Sequence, residues 1–142
     1  MKKETCGIFI HQIHNVLEKR MNNQLRKQGL TFSQINVLAT LASTSEKKLS
    51  FKELEKQLVL AQSTTAGLIS RLEQKRLVSI YGDKDDKRIK YVEITALGIK
   101  CCEDAEQDME NTEKELVSCL SETERKTFFS LLKDVNDTVM KC

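Results

Sequence analysis

The chain has 142 residues, with no Pro, only five Gly and a net charge of +2 at pH 7. This length suits one domain, and the lack of Pro favours helices. The sequence shows no secretory leader and no apolar run long enough to span a membrane, so we expect a cytoplasmic protein without a membrane partner. A glycine-rich phosphate loop, paired catalytic carboxylates and a nucleophile motif are also absent, so we predict neither an enzyme nor a cofactor.

The charge is unevenly distributed along the sequence. Residues 1–50 carry eight basic and three acidic side chains, a net +5, and residues 51–100 carry ten and seven, a net +3. Residues 101–142 carry five basic and eleven acidic side chains, a net −6. Ordinary surface variation is one explanation. A basic surface that meets DNA, with an acidic part that points elsewhere, is the other.

Two helices are predicted before residue 50. Residues 4–28 have an amphipathic pattern and are followed by Gly29, which favours a left-handed helix cap. The pattern Thr31-x-x-Gln34 is a capping box that begins the second helix. The apolar stripe of the first helix is Phe9, Ile13, Val16, Leu17, Met21 and Leu25, and the predicted core face of the second is Ile35, Leu38, Ala39 and Ala42.

Residues 50–75 predict two helices joined by a tight turn. Ser50-x-x-Glu53 is a capping box for a helix at residues 51–59, and the turn lies near Leu60 and Ala61. The next helix has an apolar stripe at Leu58, Ala61, Thr65, Leu68, Ile69 and Leu72. Its opposite face is small and uncharged, and such a face can enter a DNA groove and bond to base edges. The alternative is an ordinary helical hairpin.

Residues 78–95 predict a charged β-hairpin. Residues 78–81 and 89–95 have the β-branched and aromatic character of strands, and the loop at 82–88 mixes three acids with three bases. A basic hairpin tip after two such helices is suited to a narrow minor groove. Asp86 lies two residues before Arg88 and could hold its guanidinium by a bidentate pair. A solvated turn without function is the alternative.

The hairpin and the helices before it resemble a known family. Asp86-x-Arg88 followed by Val92-x-Ile94-Thr95 resembles the wing signature of the MarR family of bacterial transcription regulators, and residues 63–75 and 30–38 resemble its recognition helix and second helix. The resemblance covers nearly the whole chain. It implies a mainly α fold with a small β-wing (α+β): a homodimeric winged helix-turn-helix protein, usually a repressor released by a small molecule, oxidant or metal.

Two positions depart from the pattern of that family. The family commonly has Gly where this chain has Arg76, and Arg adopts the left-handed conformation only at a steric cost. It often has Arg where this chain has Gly67, which removes an expected DNA contact. These departures bear on the operator sequence and the affinity more than on DNA binding itself.

Long helices are also predicted after the hairpin. Residues 96–118 read as one helix, and Ser121-x-x-Glu124 caps another. We expect a single domain at 1–142, in which 1–30 and 96–142 supply dimerisation helices and 31–95 is the winged helix-turn-helix. A two-fold dimer would place two recognition helices ~34–36 Å apart on a pseudo-palindromic operator. The last helix carries the apolar residues Phe128, Leu131, Leu132, Val135 and Val139.

The predicted DNA-binding residues fall into two groups. The recognition helix group is expected to face the major groove, with its two basic members near phosphates, and the wing group to enter or flank the minor groove. The first group is Gln62, Ser63, Thr64, Ala66, Gly67, Ser70, Arg71 and Lys75. The second group is Asp86, Lys87 and Arg88, in which Asp86 orients Arg88.

Five cysteines in a chain without a recognisable leader argue against a disulfide framework. Cys101, Cys102 and Cys119 are interpreted as core residues. Cys6 lies near a helix start, where the dipole favours thiolate. It also lies within about one position of the sensing cysteine in the hydroperoxide branch of the resembled family, so a redox-sensing regulator is an alternative to an inert thiol.

Three further interpretations of the sequence remain open. His11-x-x-His14 can present two imidazoles to a metal, although two polar residues at a dimer seam are the simpler interpretation, and we predict no metal site. The resemblance implies a small aromatic or amphipathic effector, whose pocket residues the sequence does not assign. A helical protein–protein adaptor is the alternative to a DNA-binding protein, and salt-sensitive duplex binding would discriminate between them.

Overall fold

The computed structural model describes residues 3–142, which form six helices and three strands in the predicted order. They divide into two compact units, one ending at Asp108 and the other running from Met109 to Cys142. The mainly α fold with a small β-wing is confirmed; the assignment of 1–142 to a single domain stays a prediction. The elements are α1 Cys6–Lys27, α2 Phe32–Ala42, β1 Lys48–Ser50, α3 Phe51–Leu58, α4 Gln62–Gln74, β2 Val78–Gly82, β3 Lys90–Ile94, α5 Ala96–Leu116 and α6 Glu122–Met140.

The ends of α1 and α2 follow the predicted capping chemistry. Gly29 has φ 72°, and the N–H of Leu30 donates to the carbonyl of Leu25 at 3.0 Å, which closes α1 with a left-handed cap. At the start of α2, the N–H of Gln34 donates to the Thr31 hydroxyl at 3.2 Å, and the Gln34 amide oxygen accepts from the Thr31 N–H at 3.2 Å. The same capping box occurs at α3 and α6, as predicted.

The three strands form one antiparallel sheet in the order β1-β3-β2. Leu49 pairs with Val92, and Val78 pairs with Ile94. These four residues are buried, so one face of the sheet covers the helices while the other is open to solvent. The short strand β1, directly before α3, forms one edge of this sheet.

The core lies where α2, α3 and α4 meet the sheet. Its fully buried side chains include Val37, Leu38, Leu41, Leu54, Ile69, Leu72 and Val92. The predicted face of α2 was wrong in part: Val37, Leu38 and Leu41 are buried, whereas Ala39 is exposed. Ser33, Asn36 and Thr40 recur along one face of this helix, and Ala39 lies beside that polar face and not on the buried one. Ala61, expected on the stripe of α4, is also exposed, because it precedes the helix as its N-cap.

The second unit contains the end of α5 and all of α6. The Arg125 guanidinium donates through Nε to the carbonyls of Val117 and Leu120, at 3.0 and 3.1 Å, and so satisfies groups at the end of α5. No residue of α6 is buried. Between residues 3 and 142, none of the helices combines the length and the apolar character that a membrane crossing requires.

Candidate DNA-binding site

The helices α3 and α4 are joined by a strained turn. Val59 has φ 53°, and its N–H donates to the carbonyl of Lys56 while the N–H of Leu60 donates to that of Glu55, both at 3.3 Å. A β-branched residue rarely adopts this left-handed conformation. The residue before α4 is Ala61, whose side chain caps nothing. The first N–H groups of α4 therefore have no side-chain partner, a state that suits a phosphate oxygen.

The two faces of α4 are sharply different. Thr65, Leu68, Ile69 and Leu72 are buried, in agreement with the predicted stripe. Every residue predicted to face the major groove is exposed, namely Gln62, Ser63, Thr64, Ala66, Gly67 and Ser70, and Arg71 is exposed as well. A Cβ at Gly67 would meet no atom within 4 Å, so packing does not require glycine there. The exposed face is small and polar, and its role in base reading stays a prediction.

At the tip of the wing, Asp86 holds Arg88 as expected. Arg88 Nε lies 3.1 Å from Asp86 Oδ1, and Nη2 lies 3.2 Å from Oδ2. The bonds from the side chain and the N–H of Arg88 hold the pKa of the Asp86 carboxyl below its usual value. The Arg88 side chain remains 91% exposed, so the pair aims the guanidinium outward. Lys87 is exposed beside it.

A second carboxylate, not singled out in the sequence, shapes the same loop. Asp83 Oδ2 accepts the N–H groups of Asp85 and Asp86 at 3.1 and 3.0 Å. An Asp whose carboxylate accepts the backbone N–H groups two and three residues later is common in turns. The sequence could therefore have indicated the role of Asp83. The turn brings Asp86 to the distance at which it pairs with Arg88.

An aromatic pair lies on the solvent face of the sheet. The rings of Tyr81 and Tyr91 have centroids 5.7 Å apart, and the Lys48 ammonium lies 5.8 and 5.3 Å from the two ring centroids. Bonding to Tyr81 raises the pKa of Lys48, and the charge of Asp83 raises the pKa of Tyr91. The sequence alone does not indicate this cluster, because Lys48 reaches it only through the pairing of β1 with β3.

Comparison with known proteins agrees with this geometry. The MarR family model matches residues 28–89. The HTH-type transcriptional regulator MhqR of Bacillus subtilis (strain 168) is 27% identical over 137 residues, which cover 95% of this chain and 93% of MhqR. Over residues 28–89 the chain is similar to the MarR family, and its likeness to MhqR extends over nearly its whole length. These relatives are transcription regulators and not enzymes, in agreement with the expectation from the sequence.

Solved MarR-family structures share the fold over almost the full length. A mutant of MepR from Staphylococcus aureus, bound to an oligodeoxyribonucleotide, has a TM-score of 0.80 and 26% identity over 96% of this chain and 99% of its own. Wild-type MarR of E. coli, in its apo form, has a TM-score of 0.73 and 26% identity over 95% and 98%. The winged helix of this chain is therefore similar to that of DNA-binding transcription regulators.

Lys75, which was predicted to approach a phosphate, has other partners in the structure. The Lys75 ammonium donates to the carbonyl of Gly29 and, at 3.1 Å, to the amide oxygen of Gln34. Its expected approach to a phosphate stays a prediction, but in the free chain two of its three donors are used. Arg76 has φ 62°, the left-handed conformation that an Arg adopts only at a steric cost.

The cysteines differ in their environment. Cys6 is exposed at the first position of α1, and Cys101 and Cys102 are half-buried near the core. Burial raises the pKa of Cys102 to about 11. The assignment of Cys119 to the core was wrong: it is exposed, because it follows the end of α5 at Leu116. The reactivity of Cys6 stays a prediction.

The histidines bond to neighbours on α1. His11 Nε2 lies 3.3 Å from Asn15 Nδ2, and His14 Nε2 lies 3.2 Å from Glu18 Oε2. Each imidazole therefore pairs with the residue one turn later. Residues 3–142 contain no cluster of three His, Cys, Asp or Glu side chains that could hold a metal ion.

A cavity of about 480 Å³ lies where α1 meets α2. Its lining combines two basic groups, Arg26 and Lys75, with the apolar side chains of Leu25, Leu30 and Phe32. The remaining lining residues are Asn22, Gly29, Thr31 and Gln34. A cavity of this size with polar groups beside apolar walls has the dimensions of a small-molecule site.

Proposed function

We propose that the chain is a homodimeric transcription repressor that binds a pseudo-palindromic operator and leaves it when an effector or oxidant acts. The proposal rests on the presence of two features in one chain: the exposed polar face of α4, and Arg88 of the wing, whose guanidinium points outward. A helix in the major groove and an Arg in the minor groove read complementary features of one duplex. Such a regulator works where the DNA lies, in the cytoplasm.

Dimerisation is supported by apolar side chains that lack cover in one chain. Leu131, Val135 and Val139 of α6 are 61%, 52% and 60% exposed, and Phe9, Ile13 and Val16 of α1 are exposed as well. Two helices with such faces are unusual on a monomer surface. A second copy is the occupant that we propose, because a two-fold dimer also supplies the second α4.

Release is proposed to act through one of two sites. The cavity beside α1 and α2 offers Arg26 and Lys75 to an anion and Phe32 to an apolar ring, so it suits a small amphipathic acid. The alternative is oxidation of Cys6, which is exposed. Duplex titrations of the wild type and of Cys6→Ser, with mild peroxide or with such an acid, separate the two.

The test is selection of a binding site from random duplexes, followed by titration at two salt concentrations. We expect Arg88→Ala to weaken binding by at most a few kcal/mol and to reduce the salt slope by about one. Arg88→Lys keeps the charge but not the bidentate pair, and Lys133→Ala removes one charge from α6 outside the proposed interface. An Arg88→Ala protein with unchanged affinity and slope would remove the wing from the mechanism.

The adaptor alternative predicts a different outcome. A protein–protein adaptor would select no duplex, whereas a regulator that contacts phosphates loses affinity steeply with salt. The DNA-bound MepR mutant favours the regulator. If the wild type enriches no sequence and binds no duplex at low salt, the adaptor is the better description.

A further inference from the structure

The C-terminal end of α4 is bonded to the helices on two sides of it. On one side, Lys75 caps α4 and its ammonium donates to the carbonyl of Gly29, the residue that ends α1. The same ammonium bonds the Gln34 amide oxygen at 3.1 Å, and Gln34 is 5% exposed. This oxygen also accepts the Thr31 N–H in the capping box of α2. Lys75 therefore ties the end of α4 to the corner between α1 and α2.

On the other side, Thr95 ties α4 to the first turn of α5. Its hydroxyl donates to the carbonyl of Arg76 at 2.8 Å, and its N–H donates to the carbonyl of Leu77 at 3.0 Å. The same hydroxyl oxygen accepts the N–H of Gly98, inside α5, at 3.1 Å. One threonine side chain thus links the segment after α4 with the beginning of α5.

The link through Thr95 requires a close approach of two backbone segments at Gly98. A Cβ on this residue would lie 2.4 Å from the carbonyl oxygen of Leu77 and 2.7 Å from Cγ1 of Ile94. Real Cβ atoms do not approach a backbone oxygen so closely, so only glycine permits this packing. The left-handed Arg76 turns the chain into this contact, and its N–H donates to the carbonyl of Glu73 at 2.9 Å.

The N-terminal end of α4 is held less firmly. It lacks a side-chain cap at Ala61 and follows Val59, which is 86% exposed in a strained conformation. A helix fixed at one end pivots about that end. For 13 residues, about 20 Å long, a rotation of about 10° moves the free end by about 3.4 Å, which is one base-pair rise.

We infer that Lys75, Thr95 and Gly98 form an anchor that fixes the direction of α4 relative to α1 and α5 and thereby sets the spacing between operator half-sites that the protein accepts. The anchor residues are positioning residues and touch no base in this role. The inference rests on the proposed function, because α1 and α5 determine the spacing only if they belong to the dimer.

The experiment measures affinity for duplexes whose half-site centres are 9, 10, 11 or 12 base pairs apart. The wild type is compared with Lys75→Met and Thr95→Val, each of which cuts one link. Lys75→Arg and Thr95→Ser keep the donor groups and serve as matched controls. Thermal unfolding and the circular dichroism spectrum establish that each variant is folded.

For the wild type we expect affinity to fall about tenfold for each base pair away from the best spacing, the usual size of one mismatched contact. Thr95→Val should reduce this discrimination to less than about threefold with the salt slope unchanged, and Thr95→Ser should retain it. Lys75→Met should reduce it as well, and Lys75→Arg should retain it. A spacing profile of Thr95→Val equal to that of the wild type would overturn the inference.

A second measurement uses the wild type alone, in case the variants do not fold. Amide hydrogen exchange should be slower at residues 72–77 than at residues 65–68, whose N–H groups also have intrahelical acceptors, because the anchored end of α4 opens less often. The reverse order would contradict the anchor. If the wild type binds no duplex, the proposed function fails and the spacing role with it, while the exchange pattern still reports on the anchor.

Discussion

The winged helix and α6 contain similar apolar side chains in opposite situations. Leu41, Leu54, Ile69 and Leu72 in the first unit are fully buried within one chain. In α6, Phe128, Leu131 and Leu132 are 40%, 61% and 44% exposed, although they recur with the spacing of an amphipathic helix. The winged helix therefore has a complete core in one chain, whereas α6 presents an apolar face that one chain leaves open. The buried residues stabilise the fold of one chain, whereas we propose that the exposed apolar residues of α6 join two chains.

The largest expected effect is in the winged-helix core. Leu72→Ala removes a fully buried side chain and should lower the free energy of unfolding by about 2–5 kcal/mol. Leu131→Ala is the matched control, since Leu131 is 61% exposed in one chain. Its effect should depend on protein concentration, whereas that of Leu72→Ala should not. Denaturant titrations at two concentrations measure both, and equal, concentration-independent losses would contradict the distinction.

A charge on the open face of α6 should break the assembly. Leu131→Asp places a carboxylate in the proposed dimer interface and should raise the dimer dissociation constant by about 100-fold or more. Lys133→Asp is the control, because Lys133, which pairs with Asp137 at 3.1 Å, lies on the opposite side of α6 from Leu131. Sedimentation equilibrium gives both constants. An unchanged dimer in Leu131→Asp would show that α6 lies outside the interface.

A smaller, stabilising effect is expected at Thr65. Its side chain is fully buried and its hydroxyl oxygen has no hydrogen-bond partner. Thr65→Val keeps the shape and removes the unpaired group, so stability should rise by about 1 kcal/mol. Thr65→Ala, which leaves a void instead, should destabilise the protein. Thermal unfolding that places Thr65→Val below the wild type would contradict the absence of a partner.

The cysteines extend the comparison to reactivity. The pKa of Cys102 is raised to about 11 by burial, so this thiol stays protonated near pH 8. Exposed Cys6 should react with iodoacetamide well before Cys102, and unfolding in guanidinium should remove the difference. Mass spectrometry of the labelled peptides measures the order. Equal rates in the folded protein would contradict the burial of Cys102.

The smallest expected effect concerns the wing and pH. The pKa of Asp86 is lowered in the folded chain, so its pairing with Arg88 is complete above the usual pKa of a carboxyl and is lost as the pH falls through the lowered value. Asp86→Asn should imitate the acid form at pH 7 and weaken duplex binding less than about tenfold. Duplex titration of Asp86→Asn tests this, with Asp85→Asn as the control. A loss as large as that of Arg88→Ala would give Asp86 more than an orienting role.

Much of the fold follows from local sequence signals. The capping boxes at Thr31, Ser50 and Ser121 and the left-handed Gly29 placed the helix ends, because these signals act within a few residues. The face of α2 was misjudged because the apolar Ala39 lies beside the polar face that Ser33, Asn36 and Thr40 form. In the candidate site, the Asp86–Arg88 pair was predictable from a spacing of two. The bonds of Lys75 to Gly29 and Gln34 were not, since 46 and 41 residues separate the partners.

The most direct test of the central claim is the composition of the DNA complex. Light scattering on the wild type bound to its selected duplex should give two chains per duplex, and a duplex with one half-site should bind far more weakly. That result is expected if open apolar faces such as that of α6 join two winged helices on one operator. One chain per duplex, with equal affinity for the half-site, would contradict the account.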